Sequence, residues 1–459
     1  MHRYFKKSYY QQFKPHYLTN LKLALPVVLS QAGQMTVNLA DTLMVGRLGA
    51  TELAAVSFAN SIFIIGFVLS IGLSIGVTPM VGKAHGAGNS EEGGYWLKQG
   101  MFGVVLFAII QAAIMFSVAL FMYDMGQEPE VVKVAIPFYL ILVASTIPVS
   151  VFMVFKQFAE GITNTRIAMI ITLTANIINI ILNYIFIFGK LGVAPMGVQG
   201  AGWATLIARI IMPTAIIIVF IKLPYFKKYK QVYLSAKIQW SKAWEIIKVG
   251  FPIGGQMVIE VFAFSMGAIM MGWISKEAMA AHQIVIAIAS LTYMMSNGLG
   301  AAATIKVSNY RGAVDWHNLK LSAYAIVHKV IIFMSVTCVL FITLRHFLPG
   351  LFTKDSYVLL ITTHLMIVAG IFQVFDGLQV VWLGILRGIE DVKIPSVITF
   401  ITWIVLALPI CYICAFILKM GAVGIWIGYL SGLMISSAAL QYRFNRIYHQ
   451  LAKIEIIKK

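Results

Sequence analysis

The chain alternates between long apolar stretches and short polar connections. Twelve of the apolar stretches have about 20 residues or more, the length that an α-helix needs to cross the hydrocarbon core of a bilayer. Hydrocarbon does not tolerate unpaired backbone groups, so such stretches are expected to be helical. The sequence therefore predicts an all-α integral membrane protein. Its twelve transmembrane helices are expected at residues 21–46, 53–80, 97–123, 134–160, 166–188, 199–222, 246–272, 279–306, 322–347, 357–386, 395–418 and 422–441.

Composition supports a membrane protein and excludes an ordinary soluble one. Of the 459 residues, 60% are hydrophobic and only 11% are charged, whereas soluble domains have about 25% charged residues. The formal net charge is +18, from 35 Lys and Arg against 17 Asp and Glu. These charges lie between the apolar stretches rather than in one basic patch, so we expect the lipid bilayer and not nucleic acid as the partner.

The distribution of basic residues predicts the orientation. Alternate connections, with the adjoining span ends, carry 26 Lys and Arg on one side and seven on the other. The positive-inside rule then places both termini in the cytoplasm of a multi-pass protein in the cell inner membrane. Residues 1–20 form a cytoplasmic tail rather than a signal peptide, since no small-residue cleavage site follows them closely. Residues 442–459 form a basic C-terminal tail.

An internal repeat divides the chain into two halves. A basic cytoplasmic linker at 223–245 separates an N-lobe at 21–222 from a C-lobe at 246–441. A single register, which we call the repeat register, pairs Pro26 with Pro252 and Gly72 with Gly298 without a gap. Apolar sequences can align by chance, but shared Pro and Gly positions argue against that explanation. Two bundles of six helices in the same membrane orientation, related by a pseudo-twofold axis, are typical of secondary transporters.

Three acidic residues lie well inside predicted spans: Asp41, Glu260 and Asp376. Such a group costs roughly 2.5–3.5 kcal/mol at the bilayer centre, so each marks a candidate site. Asp41 shares a helix face with Gln31, Gln34 and Asn38, and span 5 carries the matching stripe Asn176, Asn179 and Asn183. Their oxygens suit a small cation or a hydronium relay in the N-lobe cavity. The alternative for the amides is hydrogen bonding that holds helices together, a role that does not require an acid.

The C-lobe has its own set of polar residues inside the membrane. Its members are Gln256 and Glu260 on span 7, Tyr293 and Asn297 on span 8, and Gln373, Asp376 and Gln379 on span 10. Carboxylates beside an aromatic ring suit an organic cation, although Tyr293 alone also suits simple packing. In the repeat register Glu260 aligns with Gln34, and Asp41 aligns with Gly267. The two lobes are therefore expected to contain specialised rather than duplicated sites.

Proline positions and missing motifs complete the sequence-based prediction. Pro26 and Pro252 open spans 1 and 7 as candidate hinges, or as static bends. The chain has no G-x-x-x-x-G-K-[ST], H-E-x-x-H or G-x-S-x-G motif. We therefore expect no cofactor and no enzymatic activity.

Four sets of short segments recur in a distinctive order and spacing: Pro26 through Gly49 with Leu53-Ala-Ala, Asn179-Ile-Ile-Leu-Asn183, Met196 through Gly202, and Gly384-Ile-Leu-Arg-Gly388 with Asp391 to Pro395. Through these segments the chain resembles the multidrug and toxic compound extrusion (MATE) transporters, in particular their NorM-like bacterial branch. The resemblance covers all twelve spans. It implies a V-shaped pair of six-helix bundles, expected as a monomer, that exports cationic and often aromatic drugs in exchange for Na⁺ or H⁺.

The resemblance also assigns residues. It places a C-lobe cation site at Glu260 and Asp376, a Na⁺ candidate, with Tyr293 and Gln283 nearby. It places an N-lobe site at Asp41, Asn179 and Asn183, and it makes Asp355 a candidate for holding a cationic substrate. A sister branch has an acid at the position of Asn183, so its absence here favours NorM-like coupling.

Three functional hypotheses follow. The first is a cation-coupled multidrug antiporter that works by alternating access. The second is a flippase for lipid-linked precursors, which is expected to line its cavity with basic residues; the spans here hold only Arg209 and Lys329 against three acids. The third is a membrane enzyme or receptor, which the missing catalytic motifs and the repeat disfavour. The coupling ion remains open, because Na⁺ and H⁺ both suit these acids.

Overall fold

The computed structural model describes the backbone of residues 2–458 and the side chains of residues 11–451. Every element in that range is helical. We label the twelve long helices α1 to α12. They are α1 His2–Gly46, α2 Ala50–Gly86, α3 Ser90–Met125, α4 Pro129–Gly161, α5 Thr165–Phe188, α6 Gly197–Lys222, α7 Trp240–Ile274, α8 Lys276–Gly312, α9 Trp316–Thr343, α10 Ser356–Gly388, α11 Lys393–Ile417 and α12 Gly421–Lys458. A short linker helix, Lys227–Ser235, precedes α7.

Each predicted span overlaps one of these helices, so the all-α membrane fold is confirmed. Within the described residues, eleven helices are long and apolar enough to cross a membrane. Helix α1 contains the predicted first span but is not among the eleven. Its polar stripe and basic start give it a lower hydropathy than the other long helices.

Local sequence explains where several helices begin and bend. The side chains of Asn89, Asn164, Ser275 and Asp315 each accept a hydrogen bond from a backbone N–H three residues later. Such caps satisfy the amide groups that the first helical turn leaves unpaired. Helix α11 is less regular and contains π-helical stretches at Ile401–Ala407 and Ile413–Ile417.

The chain folds into two compact units, which we call the N-unit and the C-unit. The N-unit is Leu29–Gly254, and the C-unit combines the residues up to Val28 with those from Gly255 onward. The predicted lobes instead begin at residues 21 and 246. The start of α7 therefore packs with the N-unit and the start of α1 with the C-unit.

Two glycines explain this division. In the N-unit, a Cβ on Gly72 of α2 would collide with the backbone of Gly254, and in the C-unit a Cβ on Gly298 of α8 would collide with Val28. The repeat register pairs Gly72 with Gly298, and it also pairs Val28 with Gly254. Close helix packing at small residues thus holds the start of α7 in the N-unit and the start of α1 in the C-unit. We call each of these two packing contacts a crossover.

Turn geometry repeats between the halves as well. Gly88 and Val314 follow α2 and α8 with φ of +72° and +56°, and Thr163 and Glu390 follow α4 and α10 with φ of +66° and +62°. Three of these four residues are not glycine, so the left-handed conformation is not explained by residue type. The backbone therefore preserves the internal repeat where the side chains have diverged.

The outward faces of the helices are apolar. On α5, Ile170, Ile177 and Ile181 are exposed, whereas the asparagines on the other face are buried. An apolar outer face with a polar inner face is expected for a helix that contacts lipid on one side and protein on the other.

Candidate cation and substrate sites

The N-unit site joins α1 to α5. The Asn183 side-chain amide donates hydrogen bonds to Asp41 Oδ1 and to Asn179 Oδ1, the latter at 3.0 Å. Asn179 and Asn183 are buried, at 4% and 0% exposure, and Asp41 is half-buried. The structure therefore brings together three residues that the sequence placed on two separate helices.

One polar atom of this N-unit site is left over. Asn183 Oδ1 is buried and has no hydrogen-bond partner among the described residues. A buried unpartnered oxygen beside a carboxylate can accept a hydrogen bond from a donor group or ligate a small hard cation. The trio is thus chemically suited to a cationic ligand.

Other members of the two predicted N-lobe stripes are not hydrogen-bonded to this trio within the described side chains. Gln34 Nε2 donates to Asn38 Oδ1 at 3.5 Å, and both side chains are exposed. Asn176 is buried one turn before Asn179, and its Nδ2 has no partner within the described part of the chain.

Arg209 on α6 is a residue of the N-unit site that the sequence did not assign. Its Nη1 donates to Ser145 Oγ at 2.7 Å, and its guanidinium carbon lies 5.3 Å and 4.8 Å from the ring centroids of Phe63 and Phe67. It also interacts electrostatically with Asp41. The N-unit site therefore contains a positive and a negative charge, and its aromatic rings already contact a cation.

The C-unit site joins α7 to α10. Gln379 Nε2 donates to Glu260 Oε1 at 2.8 Å. Asp376, one turn before Gln379, interacts electrostatically with Glu260 and with Tyr293 of α8. The charges of the predicted trio Glu260, Asp376 and Tyr293 thus act on one another within the C-unit, and we call these three residues together with Gln379 the C-unit cluster.

The C-unit cluster also offers an oxygen ligand. Gln379 Oε1 is buried and has no hydrogen-bond partner among the described residues. Two carboxylates and an amide oxygen are the hard ligands that Na⁺ or a hydronium ion requires. Within the side chains that the structure describes, no group of three or more His, Cys, Asp and Glu residues could hold a metal ion, so any cation site here would combine acids with amides.

Polar contacts extend the C-unit cluster in both directions along α10. Toward its start, Thr292 and Thr337 donate to Gln373 Oε1 at 2.6 Å and 3.3 Å. At its end, Arg387 Nη2 donates to Gln256 Oε1 at 3.2 Å. Arg387 also interacts electrostatically with Glu260. From the sequence alone, Arg387 had no role in a predicted site and was only one of the basic residues outside the spans.

The remaining candidates occupy other places. Gln283 is exposed and lies ten residues before Tyr293 on α8, a distance of roughly 15 Å along the helix. Asp355 is exposed and caps α10, since its Oδ1 accepts from the N–H groups of Tyr357 and Val358 at 2.9 Å and 3.2 Å.

The two hinge candidates lie within continuous helices. Pro26 is inside α1 and Pro252 is inside α7. Each lies two residues before a boundary between the compact units. Whether the helices bend there during function stays a prediction.

A duplicated bundle of twelve long helices, in which each unit has a carboxylate hydrogen-bonded to a buried amide side chain, defines a polytopic secondary transporter. The MatE family matches residues 26–185 and again 252–413, and the two matches begin at the two prolines that the repeat register pairs. This chain belongs to the MatE family, which confirms the resemblance found in its sequence.

Individual relatives agree. The chain is similar to the probable multidrug resistance protein NorM of Rhizobium meliloti (strain 1021), with 30% identity over 95% of each chain. It is also similar to the multidrug resistance protein NorM of Vibrio vulnificus (strain YJ016), with 28% identity over 99% of each chain. The crystal structure of the eukaryotic MATE transporter AtDTX14 has the same fold, with a TM-score of 0.85, 19% identity, and coverage of 96% of this chain and 99% of that one.

Proposed function

We propose that this chain is a multidrug efflux antiporter that exports organic cations, many of them aromatic, in exchange for Na⁺ or H⁺ by alternating access. The observation that carries the proposal is the C-unit cluster, in which Glu260 is hydrogen-bonded to Gln379 beside Asp376. Acids are retained inside membrane helices when they bind or move charge. The names of the NorM relatives support drugs as the cargo.

Competition for the same carboxylates would couple the two transported species. An antiporter requires that the coupling ion and the drug weaken each other's binding, and this effect is reciprocal by thermodynamic linkage. A Na⁺ ion or proton on Glu260 and Asp376 removes the negative charge that attracts an organic cation. The same acids would therefore serve both half-cycles of transport.

We further propose that both termini lie in the cytoplasm and that the protein works as a monomer in the inner membrane. The excess of Lys and Arg in the connections that adjoin the termini supports this orientation. With it, the Arg387 end of α10 faces the cytoplasm, and Asp355 at the start of α10 faces the outside.

The test is transport by the purified protein in liposomes, with ethidium as the organic cation. A Na⁺ gradient and a pH gradient are imposed separately, which also decides the coupling ion. We expect Glu260→Gln and Asp376→Asn each to reduce coupled transport at least about tenfold, because each removes a charge that both ligands need. Glu277→Gln is the matched control, since Glu277 lies at the start of α8 and contacts Lys276 at 3.8 Å.

Wild-type transport in both cluster variants would contradict the assignment of the site. Transfer of a labelled lipid across the vesicle membrane without any effect of ethidium or of either gradient would instead support the flippase hypothesis.

A further inference from the structure

Two parallel contacts connect α7 with α10 in the C-unit. One is Gln379 to Glu260 at 2.8 Å, and the other is Arg387 to Gln256 at 3.2 Å. Gln256 and Glu260 are one helical turn apart, about 6 Å along α7. The Arg387 guanidinium is therefore held one turn from the carboxylate that we assign to ion coupling.

The position of Arg387 differs from that of two neighbouring arginines. Arg311 contacts Glu390 at 3.0 Å, and Arg443 contacts Asp391 at 2.8 Å. Arg387, by contrast, is held by the neutral amide of Gln256, and its Nε has no hydrogen-bond partner among the described residues. A largely buried guanidinium without a direct carboxylate partner is costly, so its charge is expected to serve another group.

Glu260 is the group that this charge can serve. It interacts electrostatically with Arg387, as does Tyr293. Because Gln256 holds the guanidinium one turn away, the two charges interact without forming a direct ion pair. The guanidinium therefore does not occupy the carboxylate of Glu260, which accepts a hydrogen bond from Gln379 through Oε1.

We propose that Arg387 is a positioning residue that acts as the resident counter-charge of the Glu260–Asp376 site. This inference rests on the proposed antiport function. When the site is empty, Arg387 balances the negative charge of Glu260. When Na⁺ or a proton binds, Arg387 repels the added positive charge, which keeps binding weak enough for release on the cytoplasmic side.

The proposal predicts that removal of this charge tightens ion binding. Two unit charges several ångströms apart in a partly buried site interact strongly enough to change affinity by about tenfold or more. Arg387→Gln should therefore lower the Na⁺ concentration for half-maximal binding and transport about tenfold. If the proton is the coupling ion, the midpoint of the pH profile should rise by about one unit.

Three variants distinguish this role from a structural one. Arg387→Lys keeps the charge and should bind the ion within about twofold of wild type. Arg311→Gln removes a charge at the end of α8 but leaves Arg387, at the end of α10, in place, and it should not change ion affinity. Gln256→Glu changes the local net charge in the same direction as Arg387→Gln, so it should also tighten binding and carries the test if Arg387→Gln does not fold.

The measurement is binding of ²²Na⁺, and of protons by pH titration, to the full-length purified protein, combined with ethidium transport in liposomes. Unchanged ion affinity in both Arg387→Gln and Gln256→Glu would overturn the inference, even if wild-type transport is coupled to Glu260. Failure of the wild type to couple ethidium to either ion would overturn the proposed function instead, since the binding experiment would still report on Arg387.

Discussion

The two units place their acids at positions that the repeat does not relate. Asp41 of the N-unit is hydrogen-bonded to Asn183, and its equivalent in the C-unit is Gly267. Glu260 of the C-unit is hydrogen-bonded to Gln379, and its equivalent in the N-unit is the exposed Gln34. Of these two equivalent positions, the N-unit uses one for a carboxylate and the C-unit uses the other, and Asp376 gives the C-unit a second acid.

Packing in the C-unit shows why the position of Asp41 cannot be used there. A Cβ on Gly267 would overlap the hydroxyl group of Tyr429. Tyr429 is fully buried and donates toward the backbone oxygens of Ala263 and Phe264 at 3.3 Å and 3.4 Å. A tyrosine hydroxyl therefore fills the space that a carboxylate fills in the N-unit.

The basic residues are exchanged in the same way. Asp41 interacts with Arg209 of α6, whereas Glu260 interacts with Arg387 at the end of α10. In the local register that pairs Gly388 with Gly161, Arg387 aligns with Glu160 of the N-unit, which is buried and lies 3.9 Å from Lys156. Each acid thus has an arginine nearby, but from unrelated positions. Both units therefore balance the charge of their acid, but they do so with residues at different positions of the repeat.

The largest effect is expected when the C-unit is given the acid of the N-unit. Gly267→Asp would force a charged side chain into the space of the Tyr429 hydroxyl, and overpacking together with an unpaired buried charge should cost more than about 4 kcal/mol. We expect little monodisperse protein by size-exclusion chromatography in detergent. Asp41→Gly, the reverse change, removes a side chain and should leave the protein folded.

The overlap with Tyr429 gives this prediction a graded control. Gly267→Ala should destabilise less than Gly267→Asp, and Tyr429→Phe should relieve part of that effect, because the nearest overlapping atom is the hydroxyl oxygen. If Gly267→Asp accumulates and melts like wild type, the steric explanation for the different acid positions is wrong.

A smaller effect is expected from the two crossover glycines. A Cβ on Gly72 would collide with the Cα and N of Gly254, whereas one on Gly298 would first collide with a side-chain methyl group of Val28. A methyl group can move more easily than backbone, so Gly72→Ala should lower the free energy of unfolding by up to about 3 kcal/mol and Gly298→Ala by about 1 kcal/mol. Thermal unfolding in detergent measures both.

Equal melting temperatures for Gly72→Ala and Gly298→Ala would show that the two crossovers are equally tight. Gly298→Ala combined with Val28→Ala provides the internal control, since it removes the side chain that causes the smaller collision.

The sequence predicted the helices and the polar stripes because both depend on periodicity within one helix. The stripe Asn179 and Asn183 was expected to face the stripe that contains Asp41, and the hydrogen bond from Asn183 to Asp41 brings the two helices together there. Arg209 and Arg387 were missed for a different reason. Each of these long side chains reaches a partner on another helix, and that partner depends on packing between helices, which spacing along the chain does not reveal.

The division into units was also beyond the sequence pattern. Helices α1 and α7 continue through Val28 and Gly254 without a break, so hydropathy gives no signal where one unit ends. For Asp355, in contrast, the sequence does contain a local signal. Its position just before the apolar run of α10 is a local capping signal, and the structure shows that one carboxylate oxygen already has that role.

The smallest predicted effect concerns the equivalent caps Asn89 and Asp315, which precede α3 and α9. Asn89 accepts from the Glu92 N–H at 3.0 Å, and Asp315 accepts from the N–H and the side chain of Asn318 at 3.0 Å and 2.6 Å. Replacement of either by Ala should cost about 1 kcal/mol at neutral pH. Only the C-unit cap can titrate, so pH should separate the two.

The sign of the pH effect follows from the environment of Asp315. Its partial burial alone would raise its pKa, but the hydrogen bonds from Asn318, together with the nearby His317 and His16, hold the pKa below its usual value. A carboxyl group with a lowered pKa stabilises the folded state above the unfolded pKa of about 3.9, and this stabilisation is lost as the pH falls through the folded pKa. In thermal unfolding between about pH 7 and pH 3, the difference between wild type and Asp315→Ala should therefore shrink by more than the difference for Asn89→Ala, because the Asn89 side chain itself carries no charge. Asp315→Asn keeps the cap without the charge, so the melting temperature of this variant should not depend on the titration of residue 315. A constant penalty for Asp315→Ala across the pH range would show that the charge of Asp315 contributes nothing to the cap.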